Sequence, residues 1–162
     1  GTLDELNAHL GLIRSYLALE DPRHSFIGQV QMQIMQAMSL VATRSERRAE
    51  NPNNFDLAWL SALEEETARL MSELSENGFF ILPGGTPLSA QMQLARTVAR
   101  RAERRLWTLD REDPLPEGLI PWVNRMSDWL FVSAKWEMNQ QGWPEERWQA
   151  FSYKRKRKKE DE

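Results

Sequence analysis

Arginines at positions 96, 100 and 104 stand four residues apart in the segment ARTVARRAERR, residues 95–105. At helical spacing, i, i+4 and i+8 share a face. The result is a line of planar, permanently charged guanidiniums. Such a line suits the binding of a polyphosphate, whose oxygens accept paired N–H donors. A solvated basic face with Glu103 pairing to a neighbour is the alternative reading. A second polar group, Asn124, Arg125, Ser127 and Asp128, interrupts an otherwise apolar segment downstream and favours the binding reading.

The remaining composition excludes several other chemistries. The chain has 162 residues, no cysteine and two histidines, His9 and His24. Disulfides, thiolate nucleophiles and thiolate metal sites are therefore ruled out, and a histidine-rich metal centre is not expected. No apolar run approaches the roughly 18–20 residues that span a bilayer. Net charge is −3, unevenly spread, because the segment KRKRKKEDE at 154–162 carries six basic and three acidic residues. The acidic remainder argues against a nucleic-acid-binding domain; a basic tail can touch nucleic acid or an anionic surface, but more often is a disordered solvating end, the reading taken here. Neither nucleic acid nor membrane is an expected partner, and a cytoplasmic setting fits the absence of cysteine.

The elements that must position the arginines are long helices. Thr2-Leu3-Asp4-Glu5 has capping-box spacing, and Leu3, Leu6, Leu10, Ile13 and Leu17 continue a helix to about residue 19. A second helix places Phe26, Val30, Ile34, Met38 and Val41 on one face. The third carries Leu57, Leu60, Leu63, Leu70 and Leu74 and closes at Asn77-Gly78. After Pro83-Gly84-Gly85, Ser89 or Thr86 caps a fourth helix reaching about residue 111. The loop at 113–118 leads into a fifth helix over about 120–140, and Trp143-Pro144-Glu145 opens one more short helix. Phe79 to Leu82 is the one strand candidate, cut off by Pro83. The pattern predicts an all-α, five-helix up-and-down bundle. Residues 1–142 form the bundle, and 143–162 a short helix with the basic tail.

Met32, Met35, Met38, Met92, Met126 and Met138 fall among apolar positions and are expected to fill the core. Trp122, Trp129 and Trp136 recur every seven residues, a seam for another helix or another subunit. An aromatic platform for a planar ligand is the alternative.

Four segments together carry a family resemblance: GTLDELNAHLG at 1–11, FILPGG at 80–85, ARTVARRAERR at 95–105 and NRMSDWLF at 124–131. In this order and spacing, over roughly residues 1–142, they resemble the PduO-type ATP:corrinoid adenosyltransferases. The resemblance implies a homotrimer of cobalamin adenosyltransferase-like bundles with active sites between subunits. It implies transfer of the 5′-deoxyadenosyl group of ATP to Co(I) of a corrinoid such as cobalamin, with triphosphate leaving and Mg²⁺ arriving with ATP. No metal ligands of the chain itself are identifiable. Matched residue by residue, Arg100, Arg101, Glu103, Arg104 and Asn124 fall at the ATP. Arg96 and Asp4 fall on an intersubunit salt bridge, with Arg96, Arg100 and Phe80 in catalytic positions. Phe80 matches the aromatic wedge beneath the corrin ring, which excludes the lower axial ligand, and Asp128 and Phe131 line the corrinoid pocket.

The family's Gly- and Thr-rich phosphate loop lies upstream of the GTLDELN segment. Since the sequence opens at Gly1 without methionine, that loop is expected before this numbering. A chain without it would be a corrinoid-binding carrier or regulator lacking ATP chemistry, the alternative function. A purely structural helical module is a third class, against which the arginine line weighs. Ala99, Gln91 and Gln93 depart from residues common in the family, where Cys and a Leu-His pair stand, and none of them alters the charge of the proposed site. A corrinoid-dependent acceptor enzyme is the partner class left open.

Overall fold

The computed structural model describes residues 1–75 and 81–148. Its helices are α1 (Thr2–Ser15), α2 (Pro22–Ala42), α3 (Ala58–Ser72), α4 (Pro87–Asp110) and α5 (Leu119–Gln140), with a 3-10 turn at Ser45–Glu50 between α2 and α3. α5 packs between α3 and α4, α4 between α5 and α1, and α1 between α4 and α2. The longest helices thus share the centre, and α4 has a partner on either side.

Local chemistry explains two of the helix starts. Asp21 caps α2, accepting from the Arg23 N–H at 2.9 Å, with Pro22 in the first helical position. Thr86 caps α4 by accepting from the Ser89 N–H at 3.1 Å, ahead of Pro87. Proline suits that place because its missing N–H would have no helical partner there. The capping box expected at Thr2 does not form. Thr2 is already helical, and the cap position falls on Gly1, which has no side chain to accept with.

The core is built from Leu6, Leu10 and Ile13 of α1, Ile34 of α2, Leu63 and Leu70 of α3, Ala95 and Ala99 of α4, and Trp122, Met126 and Leu130 of α5. Alanines on the inner face of α4 let neighbouring helices approach closely. The tryptophans of the α5 seam pack against neighbouring side chains within the chain. Trp122 is fully buried against Phe55 and Trp59, and Trp129 meets Phe26 edge-on at 5.5 Å. Trp136 donates to Glu73 at 2.7 Å and lies beneath the Arg23 guanidinium.

Two expectations about side chains and one about the backbone are corrected. Met92, Met126 and Met138 are buried, but Met32 and Met35 are 64% and 53% exposed. The inner face of α2 runs through Ile27, Val30, Ile34, Ala37 and Leu40, which turns both methionines outward. Phe26, Met38 and Val41 only flank the core. No helix forms at 143–145. After a left-handed turn at Gly142 the chain runs back along the segment before α4, where Leu82 N–H donates to Glu146 O at 2.8 Å and Ile81 bridges Arg147.

The end of α5 packs against a glycine turn. Gly85 has φ +88°, and a Cβ added there would lie 2.7 Å from Met138 Sδ. Only glycine combines that backbone angle with so close an approach. The Pro-Gly-Gly turn therefore sets where α4 begins relative to the end of α5.

Candidate functional site

Arg96, Arg100 and Arg104 follow one another along α4 as the spacing requires, but their surroundings differ. Arg100 and Arg104 are exposed, and Arg104 donates to the Arg100 carbonyl at 3.1 Å. Arg96 is half-buried and donates from Nε to Gln93 Oε1 at 2.7 Å. No carboxylate pairs with it among the described residues. Burial pulls its guanidinium below the ordinary arginine value, and the charge of Arg100 pulls the same way. An arginine stays protonated even so, which leaves a positive site short of an anion.

Asn124 of α5 joins this face. Its Nδ2 donates to Glu103 Oε1 at 3.1 Å, linking α5 to the arginine helix. Arg101, one residue beyond Arg100, is turned aside and forms an ion pair with Glu5 of α1. Asp4 is exposed and has no partner among the described residues, so Asp4 and Arg96 do not meet within one chain.

Asp128 and Phe131 lie on another wall. They line a groove of about 450 Å³ between α3 and α5, with Thr67, Ala68 and Met71 opposite. Arg125 bridges this rim, donating to Asp128 at 2.8 Å and to Glu64 at 3.1 Å. Both carboxylates hold Arg125 above the ordinary arginine value, Asp128 foremost. Phe131 is 37% exposed, with the Lys135 ammonium 5.9 Å from its ring centre. A half-exposed ring beside apolar α3 side chains can receive a large apolar ligand. Phe80, the expected wedge, lies outside the described residues, as does the basic segment 154–162. No cluster of three metal-ligating His, Asp or Glu side chains occurs among the described residues, and no helix there is long and apolar enough to cross a membrane.

Sequence reasoning missed the buried amide beside Arg96. Gln93 registered as a departure from family habit, whereas its place one turn before Arg96 was the available signal. It also missed the ion pair of Arg23 with the buried Glu137, which joins residues 114 positions apart and has no local signature.

The chain thus carries an arginine row on one face of α4 and a separate groove between α3 and α5. The family model for cobalamin adenosyltransferases matches residues 1–137. The chain is 36% identical over 138 residues to the corrinoid adenosyltransferase PduO of Citrobacter freundii, covering 85% of this chain and 41% of that protein. It is 36% identical over 137 residues to PduO of Salmonella typhimurium, covering 85% and 40%. It thus spans about two fifths of the length of these curated relatives. Among solved structures, a phenylalanine-to-alanine variant of the PduO-type ATP:corrinoid adenosyltransferase from Lactobacillus reuteri, complexed with cobalamin and ATP, superposes with a TM-score of 0.85. That pair is 26% identical, with 92% of this chain and 83% of the other covered. The chain belongs to the cobalamin adenosyltransferase family.

Proposed function

We propose that this chain transfers the 5′-deoxyadenosyl group of ATP to Co(I) of a corrinoid, as a trimer of five-helix bundles with sites between subunits. Residues 1–142 form the catalytic bundle and 143–162 an appendage. The observation that carries the reading is Arg96, half-buried and without a carboxylate partner among the described residues, beside the exposed Arg100 and Arg104. The names of the relatives, and the cobalamin and ATP bound in the Lactobacillus reuteri structure, support it.

The chemistry follows from these residue types. Co(I) attacks C5′ of ATP, the Co–C bond forms, and the C5′–O bond breaks with its electron pair passing to the triphosphate. Charge therefore grows on the departing oxygens, where guanidiniums already in place lower the barrier. Arg100 and Arg104 face the phosphates, with Arg101 at the edge of the same site. Asn124, held by Glu103, contacts the nucleoside. Arg96 meets Asp4 of a neighbouring subunit, closing the site. Mg²⁺ comes with the triphosphate and shields its charge. Asp128 and Phe131 line the corrinoid groove, and Phe80 fills the space beneath the corrin so that no axial donor reaches cobalt. The product passes to a corrinoid-dependent acceptor enzyme in the cytoplasm.

The test is anaerobic incubation of the chain with chemically reduced cobalamin and MgATP. The expected product is a light-sensitive alkylcobalamin that forms only with ATP present. Recovery of unalkylated cobalamin alone would overturn the proposal.

A further inference from the structure

Gln93 is only 4% exposed, an unusual place for a residue type that mostly faces water. Its Oε1 accepts from Arg96 Nε at 2.7 Å. A guanidinium is a rigid planar fork, so anchoring Nε restricts the plane in which both terminal nitrogens lie. Those two nitrogens have no partner among the described residues.

The chemical nature of the anchor matters as much as its place. Arg101 is held by Glu5 and Arg125 by Glu64 and Asp128, so each of those charges is answered inside the chain. An amide orients an arginine without neutralising it. The full charge of Arg96 is then left for an anion from outside.

We propose that Gln93 is a positioning residue that fixes the Arg96 guanidinium, as a neutral acceptor, for the carboxylate of Asp4 of the neighbouring subunit that closes the site for adenosyl transfer. The proposal rests on the adenosyltransferase reading above. Gln93 touches no reacting atom and acts only through Arg96.

Two variants of the full chain separate orientation from charge. Gln93→Met keeps length and apolar stem but removes the acceptor, and Gln93→Glu keeps the acceptor while cancelling the charge of Arg96. Exchange of the Arg96 Nε proton with water, followed by ¹⁵N NMR, reads the hydrogen bond without reference to activity. In Gln93→Met we expect faster exchange and a kcat lower by roughly five- to tenfold, the worth of one hydrogen bond, with KM for ATP changed less than about twofold. In Gln93→Glu exchange should stay slow while adenosylation still falls. Fast exchange with unchanged kcat, or slow exchange in Gln93→Met, would overturn the positioning role. A fully active Gln93→Glu would overturn the need for neutrality. A wild-type chain that makes no alkylcobalamin would sink the enzymatic reading by itself, and the exchange comparison would still decide whether Gln93 holds Arg96.

Discussion

Arg96 and Arg100 sit four residues apart on one helix and are asked to do different work. Arg96 is half-buried and anchored at Nε, which suits a fixed contact between protein parts. Arg100 is exposed, and its side chain is free of hydrogen bonds among the described residues, which suits a ligand that comes and goes. Replacing Arg100 by alanine should therefore leave the fold alone, because no intramolecular bond is lost. A charge-assisted bond to phosphate is worth about 1.5–3 kcal/mol, so binding of MgATP should weaken about 10- to 100-fold. Calorimetric titration checks the affinity and a thermal melt the fold; unchanged ATP affinity in the variant would remove Arg100 from the site. The spacing of the arginine row was legible in the sequence because helical periodicity is a local property. The pairing of Arg101 with Glu5 was not, since it depends on how α1 packs against α4.

Among the elements, α2 shows how a helix start and a tertiary contact share residues. Asp21 caps α2 and also binds the Arg23 guanidinium at 2.7 Å, while Arg23 reaches Glu137 on α5. The Arg23 side chain is the main reason the Asp21 carboxyl is held below the usual range; the Arg23 N–H adds to this and burial opposes it. A carboxylate depressed in the folded state stabilises above its unfolded pKa, near 3.9, and that contribution is lost as pH falls through the folded value. Asp21→Ala should therefore cost about 1 kcal/mol at neutral pH, as for other lost caps. The gap should close as the solution is acidified past the unfolded carboxylate value and through the lower folded one. Thermal melts of both proteins across that range check it, and a constant gap would show that ionised Asp21 is not the source. Asp21-Pro22 is a local start signal that the sequence reading did not single out for this helix. The inner face of α2 was harder to read, because methionines, valines and a phenylalanine sit on several of its sides. Only contact with α1 shows that Met32 and Met35 face outward. The missing helix at 143–145 has a similar cause: a local Trp-Pro-Glu signal yields to hydrogen bonds with the segment before α4, some sixty residues away.

At the scale of the whole molecule, the exposed Asp4 and the carboxylate-free Arg96 belong to one proposed contact between subunits. If they pair, light scattering should report a trimer. Asp4→Arg or Arg96→Asp alone should shift it toward monomer through like-charge apposition. The double variant, which swaps the two charges, should restore assembly at least in part. A native chain that stays monomeric at micromolar concentration would contradict the shared site, as would a double variant no better than its parents. The helical character of the molecule followed from periodicity, whereas nothing local in the sequence indicates which exposed faces meet another copy.

Phosphorus NMR reads directly which bond of ATP breaks. With reduced cobalamin in excess and Mg²⁺ present, attack at C5′ must release triphosphate intact, one for each alkylcobalamin formed. Triphosphate is the single phosphorus product expected, with no ADP and no orthophosphate accumulating alongside it. ADP and orthophosphate as the phosphorus products, with cobalamin unalkylated, would show cleavage at the γ-phosphate and would contradict the account.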